Sequence, residues 1–308
     1  MYFCLQSIHI PMKHFLILSC LLLAMAASGQ SIQLPAIPDS LRTPESRAAF
    51  LVEHYWDLYP FGQSTKRAEL AVEQSLVNYI DLFRLVPLEN AQTSLAATMR
   101  QAAEEKRTLF LFYNLFEKYL YDLASPMRDE RLFLPVLTAF LDSPILKEED
   151  KVRPEYLLKI VRQNQVGSIT SDFSITFRDG TQQNLLALPA RPTLLYFYDP
   201  DCDDCRLLSA ELERNADINR LIREDHLQIV AIYTGEDTDY WKETSAHIPA
   251  AWLCGYDDRF TILNDELYAL PGFPTLYILD EDKRVVRKEA SLEVVMQEIA
   301  RLCVAKSE

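Results

Sequence analysis

Hydrophobic residues in this chain recur at helical spacing up to about Val166, then switch to strand-like runs that alternate with amphipathic segments. One secondary-structure period cannot serve both halves, because a helix repeats every 3.6 residues and a strand every two. The chain therefore reads as two domains, and 308 residues are enough for both. In the first half Ala48, Leu51, Val52, Tyr55 and Trp56 share one helical face, as do Leu70, Val72, Leu76, Tyr79, Ile80 and Phe83. Further helices are expected at roughly 90–105, 107–123, 129–141 and 154–164. Thr43-Pro44 and Ser64-Thr65 supply starts, and Pro60-Phe61-Gly62, Pro87 and Ser143-Pro144 supply stops. The aromatic run from Leu109 through Tyr113 to Tyr121 reads as core, since aromatics at this spacing usually face the interior. No fixed period marks a repeat array.

After Gly167 the expected elements are a strand over Asp172–Phe177, an Asp179-Gly180 turn and a strand over Gln182–Leu186. Thr193–Tyr198 is a buried strand. A helix from Asp203, a strand over Leu227–Tyr233 and a helix near 237–246 follow. Thr275–Leu279 and Arg284–Lys288 form a second hairpin, and Ser291–Cys303 an amphipathic helix. This order implies a mixed sheet covered on both faces, so the fold class is an all-α domain followed by an α/β domain. The division expected is 1–29, 30–166 and 167–308.

Residues 1–29 read as a secretory signal peptide. Lys13 and His14 precede an apolar run from Phe15 to Ala27, and small residues follow. The run is shorter than the roughly 20 residues a bilayer needs, so no stable membrane span is expected. Ile17-Leu18-Ser19-Cys20 faintly resembles a lipoprotein box but sits early in the run, so plain secretion is the expectation and lipidation the alternative left open. The expected location is the periplasm or cell envelope. Removing the leader takes Cys4 and Cys20 and leaves Cys202, Cys205, Cys254 and Cys303 in oxidising surroundings, where disulfides persist.

Composition excludes several functions. The 7 glycines are widely spaced, so neither a dinucleotide turn nor a P-loop is present. A net charge of −14 carries no basic footprint for nucleic acid. Of 45 acidic residues 26 follow Gly167, against 14 of 31 basic ones, so the acidity belongs to the second domain.

Cys202-Asp203-Asp204-Cys205 comes directly after the buried strand and opens a helix. Two intervening residues let the sulfurs close a small ring, and the unpaired N–H groups of a helix start favour a thiolate on the first. With Gly272-Phe273-Pro274-Thr275 ahead of the strand that follows it, the arrangement resembles the thioredoxin superfamily. The leading hairpin is similar to its envelope branch, often called TlpA/ResA-like. The resemblance covers about residues 168–303. The helical half resembles domains of unknown function found ahead of exported thioredoxin modules. The resemblance implies a thioredoxin-like fold and thiol-disulfide exchange with protein substrates, with no cofactor and no metal. Cys202 would attack, Cys205 would resolve, and Pro274 would be cis beside them. Phe273 and Thr275 would lie along the substrate, the Phe273 backbone pairing with it as an added strand. Electrons would pass to or from an unidentified redox partner. Oligomeric state is not written in any of these signals.

The sequence also departs from that family. Asp201 stands where thioredoxins carry Trp, and Tyr196 stands by spacing where they carry a buried acid, so the base for proton transfer is unassigned. Asp199, Asp201, Asp203 and Asp204 surround the thiol. Their charge raises a thiol pKa while the helix end lowers it, and the sequence does not sign the balance. The pair is expected to be reducing or weakly oxidising, and its acidic rim to favour basic protein partners over anionic glutathione. The competing reading is a binding or scaffold protein with a degenerate fold and an inert structural disulfide. Half a zinc site is disfavoured, because no second C-x-x-C supplies the other ligands. Cys254 and Cys303 read as buried free thiols, with a Cys254–Cys303 bridge as the alternative that spacing does not decide. His54, His226 and His247 sit in no motif.

Overall fold

The computed structural model describes residues 32–62 and 66–305. The signal peptide expected over 1–29 lies outside the described residues, and so does the side chain of Cys303. The chain divides into two compact units between Leu146 and Lys147.

The first unit is helical: α1 (Pro44–His54), α2 (Lys66–Asp81), a 3-10 turn (Leu82–Leu85), α3 (Leu88–Ala102), α4 (Lys106–Leu120) and α5 (Glu130–Leu141). Helix α1 begins as expected, with Thr43 Oγ1 accepting from the Ser46 amide at 3.2 Å and Pro44 at the first helical position. The aromatic run of α4 is core. Leu109, Phe112, Tyr113, Phe116 and Leu120 are buried, and Trp56 meets Phe112 edge-on with centroids 4.9 Å apart. Pro135 lies inside α5 and has no N–H to offer the Arg131 carbonyl one turn back. Gln92 of α3 donates to that oxygen at 2.9 Å.

The second unit opens with α6 (Glu148–Arg162). Its start precedes the expected one at 154 because Asp150 accepts from the Lys147 amide at 2.8 Å and three acids occupy the first turn, which offsets the interior Pro154. Lys288, itself buried, donates to the carbonyls of Ile160 and Gln163, and Asn164 donates to that of Leu267. These bonds tie α6 to the rest of its unit.

Seven strands form one mixed sheet: β1 (Ser174–Phe177), β2 (Gln182–Asn184), β3 (Thr193–Tyr198), β4 (Gln228–Tyr233), β5 (Leu253–Tyr256), β6 (Thr275–Leu279) and β7 (Val285–Arg287), in the order β2-β1-β5-β4-β3-β6-β7. Strands β3, β4 and β5 are parallel, and every other neighbour is antiparallel. The Asp179-Gly180 turn holds as expected, with Gly180 at φ +81° and Asp179 accepting from the Thr181 amide at 2.9 Å. Strand β5 has no counterpart in the sequence reading. Its four residues contain Gly255, where a Cβ would strike the Ile175 side chain and lie 2.8 Å from the Thr176 carbonyl. Close backbone approach to β1 requires glycine there, and glycine hides the strand pattern.

Both faces of the sheet are covered. Along one lies a core of Leu194, Tyr196, Tyr198, Leu212, Trp241, Trp252, Val295 and Ile299. On the other, Phe173, Ile175, Leu195, Phe197, Ile232, Tyr268 and Tyr277 form a second. Helices α7 (Asp203–Arg214), α8 (Ala216–Arg223), α9 (Thr238–Thr244) and α11 (Leu292–Ala305) contribute to the first, and the short α10 (Thr261–Asn264) places Ile262 in the second.

Candidate active site

Strand β3, an interior strand between β4 and β6, delivers the chain, through Asp199-Pro200-Asp201, to the start of α7. Cys202 is the N-cap of that helix, and its Sγ accepts from the Cys205 amide at 3.0 Å. A sulfur thus occupies the place where Ser or Asp usually caps, among unpaired amides that favour negative charge. Cys202 and Cys205 form a disulfide with Cα atoms 5.2 Å apart. The two cysteines differ in access: Cys202 is half-buried, whereas Cys205 is 2% exposed.

Strand β6 brings the second motif alongside. Phe197 pairs with Thr275, so Pro274 lies one residue beyond that pair, next to the end of β3 that leads to the cysteines. The Phe273–Pro274 bond is cis. The Phe273 carbonyl oxygen lies 3.4 Å from Cys202 Sγ, and the Phe273 ring is exposed. In the disulfide that sulfur has no proton to donate, so this is a contact; a Cys202 thiol could donate across it. Thr275 is buried, and its hydroxyl donates to the Gly272 carbonyl at 2.6 Å. That bond fixes its side chain in the turn before β6. All five residues singled out from sequence are therefore gathered at the carboxyl end of β3.

Tyr196, in the place of the family's buried acid, is fully buried and donates its hydroxyl to the Cys205 carbonyl at 2.7 Å. Its ring stacks on Tyr198 at 5.5 Å and meets Trp252 edge-on at 6.0 Å. Burial pushes its phenol well above the ordinary range, so it stays protonated and serves as a donor. The Tyr198 phenol is raised too, by burial and then by Cys254, and it accepts from Trp241 Nε1 at 3.0 Å. Cys254 is a buried free thiol that burial pushes up, as expected of a structural cysteine.

Asp201, in the place of the family's Trp, accepts a hydrogen bond from Tyr240 of α9. Asp199 accepts from the Asp201 amide at 2.8 Å, and Arg206 pairs with Asp203. Tyr240 and Trp241 were not singled out from sequence. The helical period that sets Trp241 in the core leaves Tyr240 beside it on the rim, but nothing in the pattern ties it to Asp201. His54, in the first unit, pairs with Asp57 at 2.8 Å. Among the described residues no group of three or more His, Cys, Asp or Glu gathers to hold a metal, and no helix is long and apolar enough to cross a membrane.

Residues 19–164 match the family described as a domain of unknown function, DUF5106, in keeping with the resemblance read for the helical half. No curated protein matches the chain. Among solved structures, a thioredoxin-like protein from Bacteroides caccae is 36% identical, with a TM-score of 0.78 over 88% of this chain and 99% of its own. The C-terminal domain of an uncharacterized protein from Bacteroides fragilis is 34% identical over 44% of this chain and 98% of its own, with a TM-score of 0.43. The thioredoxin domain of a thiol-disulfide oxidoreductase from Bacteroides vulgatus is 18% identical over 44% of this chain and 96% of its own, with a TM-score of 0.40. The disulfide at a helix start, the cis proline beside it and a near-complete match to the Bacteroides caccae structure agree: this chain belongs to the thioredoxin-like proteins.

Proposed function

We propose that the protein exchanges thiols and disulfides with other proteins in the cell envelope, through Cys202 and Cys205. The observation that carries this reading is the asymmetry of the pair, with Cys202 reachable at the helix start and Cys205 sealed beneath it. In the reducing direction the Cys202 thiolate attacks a substrate disulfide, forming a mixed disulfide and releasing one substrate thiolate. Cys205 then loses its proton and attacks Cys202 Sγ. The Cys202–substrate bond breaks, the second substrate thiolate departs with the electron pair, and the protein is left oxidised. A dithiol partner of unassigned identity returns the two electrons.

Pro274 shapes the groove, and the Phe273 backbone, with its carbonyl beside Cys202, pairs with an extended substrate segment. Thr275 supports this edge through its bond to Gly272. The carboxylates of Asp199, Asp201, Asp203 and Asp204 select basic segments and disfavour a strongly oxidising pair. The apolar leader supports export to the envelope.

Equilibration of the pair across a dithiol redox series tests the reading. Exchange proteins lie at about −120 to −270 mV, and structural disulfides typically below about −300 mV. The expected result is a potential inside the exchange window, near its reducing end, with Cys202 labelled first and a Cys205→Ser variant trapping a substrate as a mixed disulfide. A potential below the window, with both sulfurs unreactive until unfolding, would return the protein to the scaffold reading.

A further inference from the structure

Resolution requires Cys205 to give up a proton, yet this residue is buried and its neighbour Tyr196 is a donor already committed to the Cys205 carbonyl. The proton needs another acceptor. A cavity of about 230 Å³ lies along α7, lined by Tyr196, Cys205, Ser209 and Glu213 among others. Its volume accommodates a short chain of waters, each taking up ~30 Å³ in the liquid. Cys205, Ser209 and Glu213 stand at i, i+4 and i+8 on α7 and so form one stripe along the helix. Exposure rises along it: Cys205 is 2% exposed, Ser209 8%, and Glu213 lies in the exposed class. The Ser209 hydroxyl has no hydrogen-bond partner within the protein among the described residues, and the Glu213 carboxylate forms no ion pair there. A hydroxyl that both donates and accepts thus stands between a buried thiol and a solvated carboxylate.

We propose that this stripe is the proton path of the resolving step, with Ser209 and Glu213 as its positioning residues. The inference rests on the exchange reading above. As the Cys205 S–H bond breaks, the proton passes through water and the Ser209 hydroxyl to the Glu213 carboxylate. The Cys205 thiolate closes on Cys202 Sγ, the substrate thiolate leaves, and Glu213 returns the proton to solvent. The other charged or titratable groups lining the cavity are Asp199, Arg206, His247 and the phenols of Tyr196 and Tyr198. Burial keeps both phenols protonated, and Arg206 is engaged by Asp203 and the Pro200 carbonyl. His247 and Asp199 are the competing acceptors.

The test is single-turnover reduction of a self-quenched fluorescent peptide disulfide by the reduced full-length protein. Capture by Cys202 is measured separately in Cys205→Ser, and resolution from the release phase. Glu213→Gln should leave capture unchanged and slow resolution by about a hundredfold near neutral pH, the gap narrowing as pH rises and hydroxide takes over. Ser209→Ala should slow resolution less, and Glu213→Asp should recover most of the rate. Resolution in Glu213→Gln that keeps the parent rate and pH profile would overturn the path, as would a defect equal at every pH. A slowing produced by His247→Gln or Asp199→Asn, and not by Glu213→Gln, would move the acceptor there and overturn it too. Failure of the parent protein to capture the peptide at all would refute the exchange reading itself.

Discussion

Replacing Tyr196 by Phe asks whether this phenol is a structural donor or an acid-base group. The perturbation deletes one hydroxyl from a fully buried ring, and with it a 2.7 Å bond to the Cys205 carbonyl. That carbonyl lies inside α7, whose own ladder still serves it, so it is not orphaned. The cost should therefore be near the ordinary net value of one hydrogen bond, about 1 kcal/mol, and not the larger penalty of an unpaired buried group. The phenylalanine ring keeps its contacts with Tyr198 and Trp252, so no cavity term is added. In a domain of this size such a loss lowers the melting temperature by about 2–4 °C. The assay is calorimetric melting of the oxidised protein, with urea unfolding followed by Trp fluorescence, each unit's transition being fitted separately. The pH profile of peptide-disulfide reduction should be unchanged, because a protonated phenol does not titrate in the working range. A destabilisation above about 3 kcal/mol would show that the carbonyl depends on Tyr196 alone. A displaced pH profile would make the phenol a participant in proton transfer and refute the assignment outright.

Exchange with a Lys-flanked peptide disulfide should exceed that with a Glu-flanked one by about tenfold at low salt, and the two rates should converge near 1 M salt as the Debye length falls to about 3 Å. Equal rates at low salt would remove the acidic rim from substrate selection. Alkaline stability offers a second check. Burial raises the phenols of Tyr55 and Tyr79 to about 12, whereas in the unfolded chain they ionise at the ordinary value of 10.0. The stabilisation tied to these protons is complete below the unfolded value and is lost as pH rises from there through the folded one, by about 1.4 kcal/mol per pH unit per group. Chemical denaturation at successive pH values should show a decline beginning near the unfolded value, and a flat profile would refute it. In the helical unit, Gln92→Leu should cost about 0.5–1 kcal/mol by removing the side-chain donor to the Arg131 carbonyl, an exposed bond that water partly replaces. Most of that loss should vanish in a Pro135→Ala background, where the helix regains its own N–H; additive costs in the double-mutant cycle would refute the pairing.

Much of this architecture was legible because its signals were local. Thr43-Pro44, Asp179-Gly180 and Cys202-x-x-Cys205 fix their surroundings through caps, turns and ring closure within a few residues. The hydrophobic period carried the long helices and the central strands in the same way, and the aromatic run of α4 took the core role its spacing implied. What stayed hidden depends on contacts far apart in sequence. Strand β5 is too short and too glycine-bound to show a period, and only pairing with β1 and β4 defines it. Helix α6 follows a helical pattern like those before it, yet buried Lys288, more than a hundred residues later, supplies the bonds that attach it to the second unit. The site divides along the same line. Its cysteines, Pro274 and the absence of an acid at Tyr196 could be read from the chain, because motif and spacing reach that far. The bond of Tyr240 to Asp201 and the stripe from Cys205 to Glu213 were not readable, since the first needs α9 laid against the loop after β3 and the second needs a cavity beside α7. Residue types declare the chemistry of the sulfurs, but the control of their protons is set by tertiary packing, and that is where mutation should separate catalysis from fold.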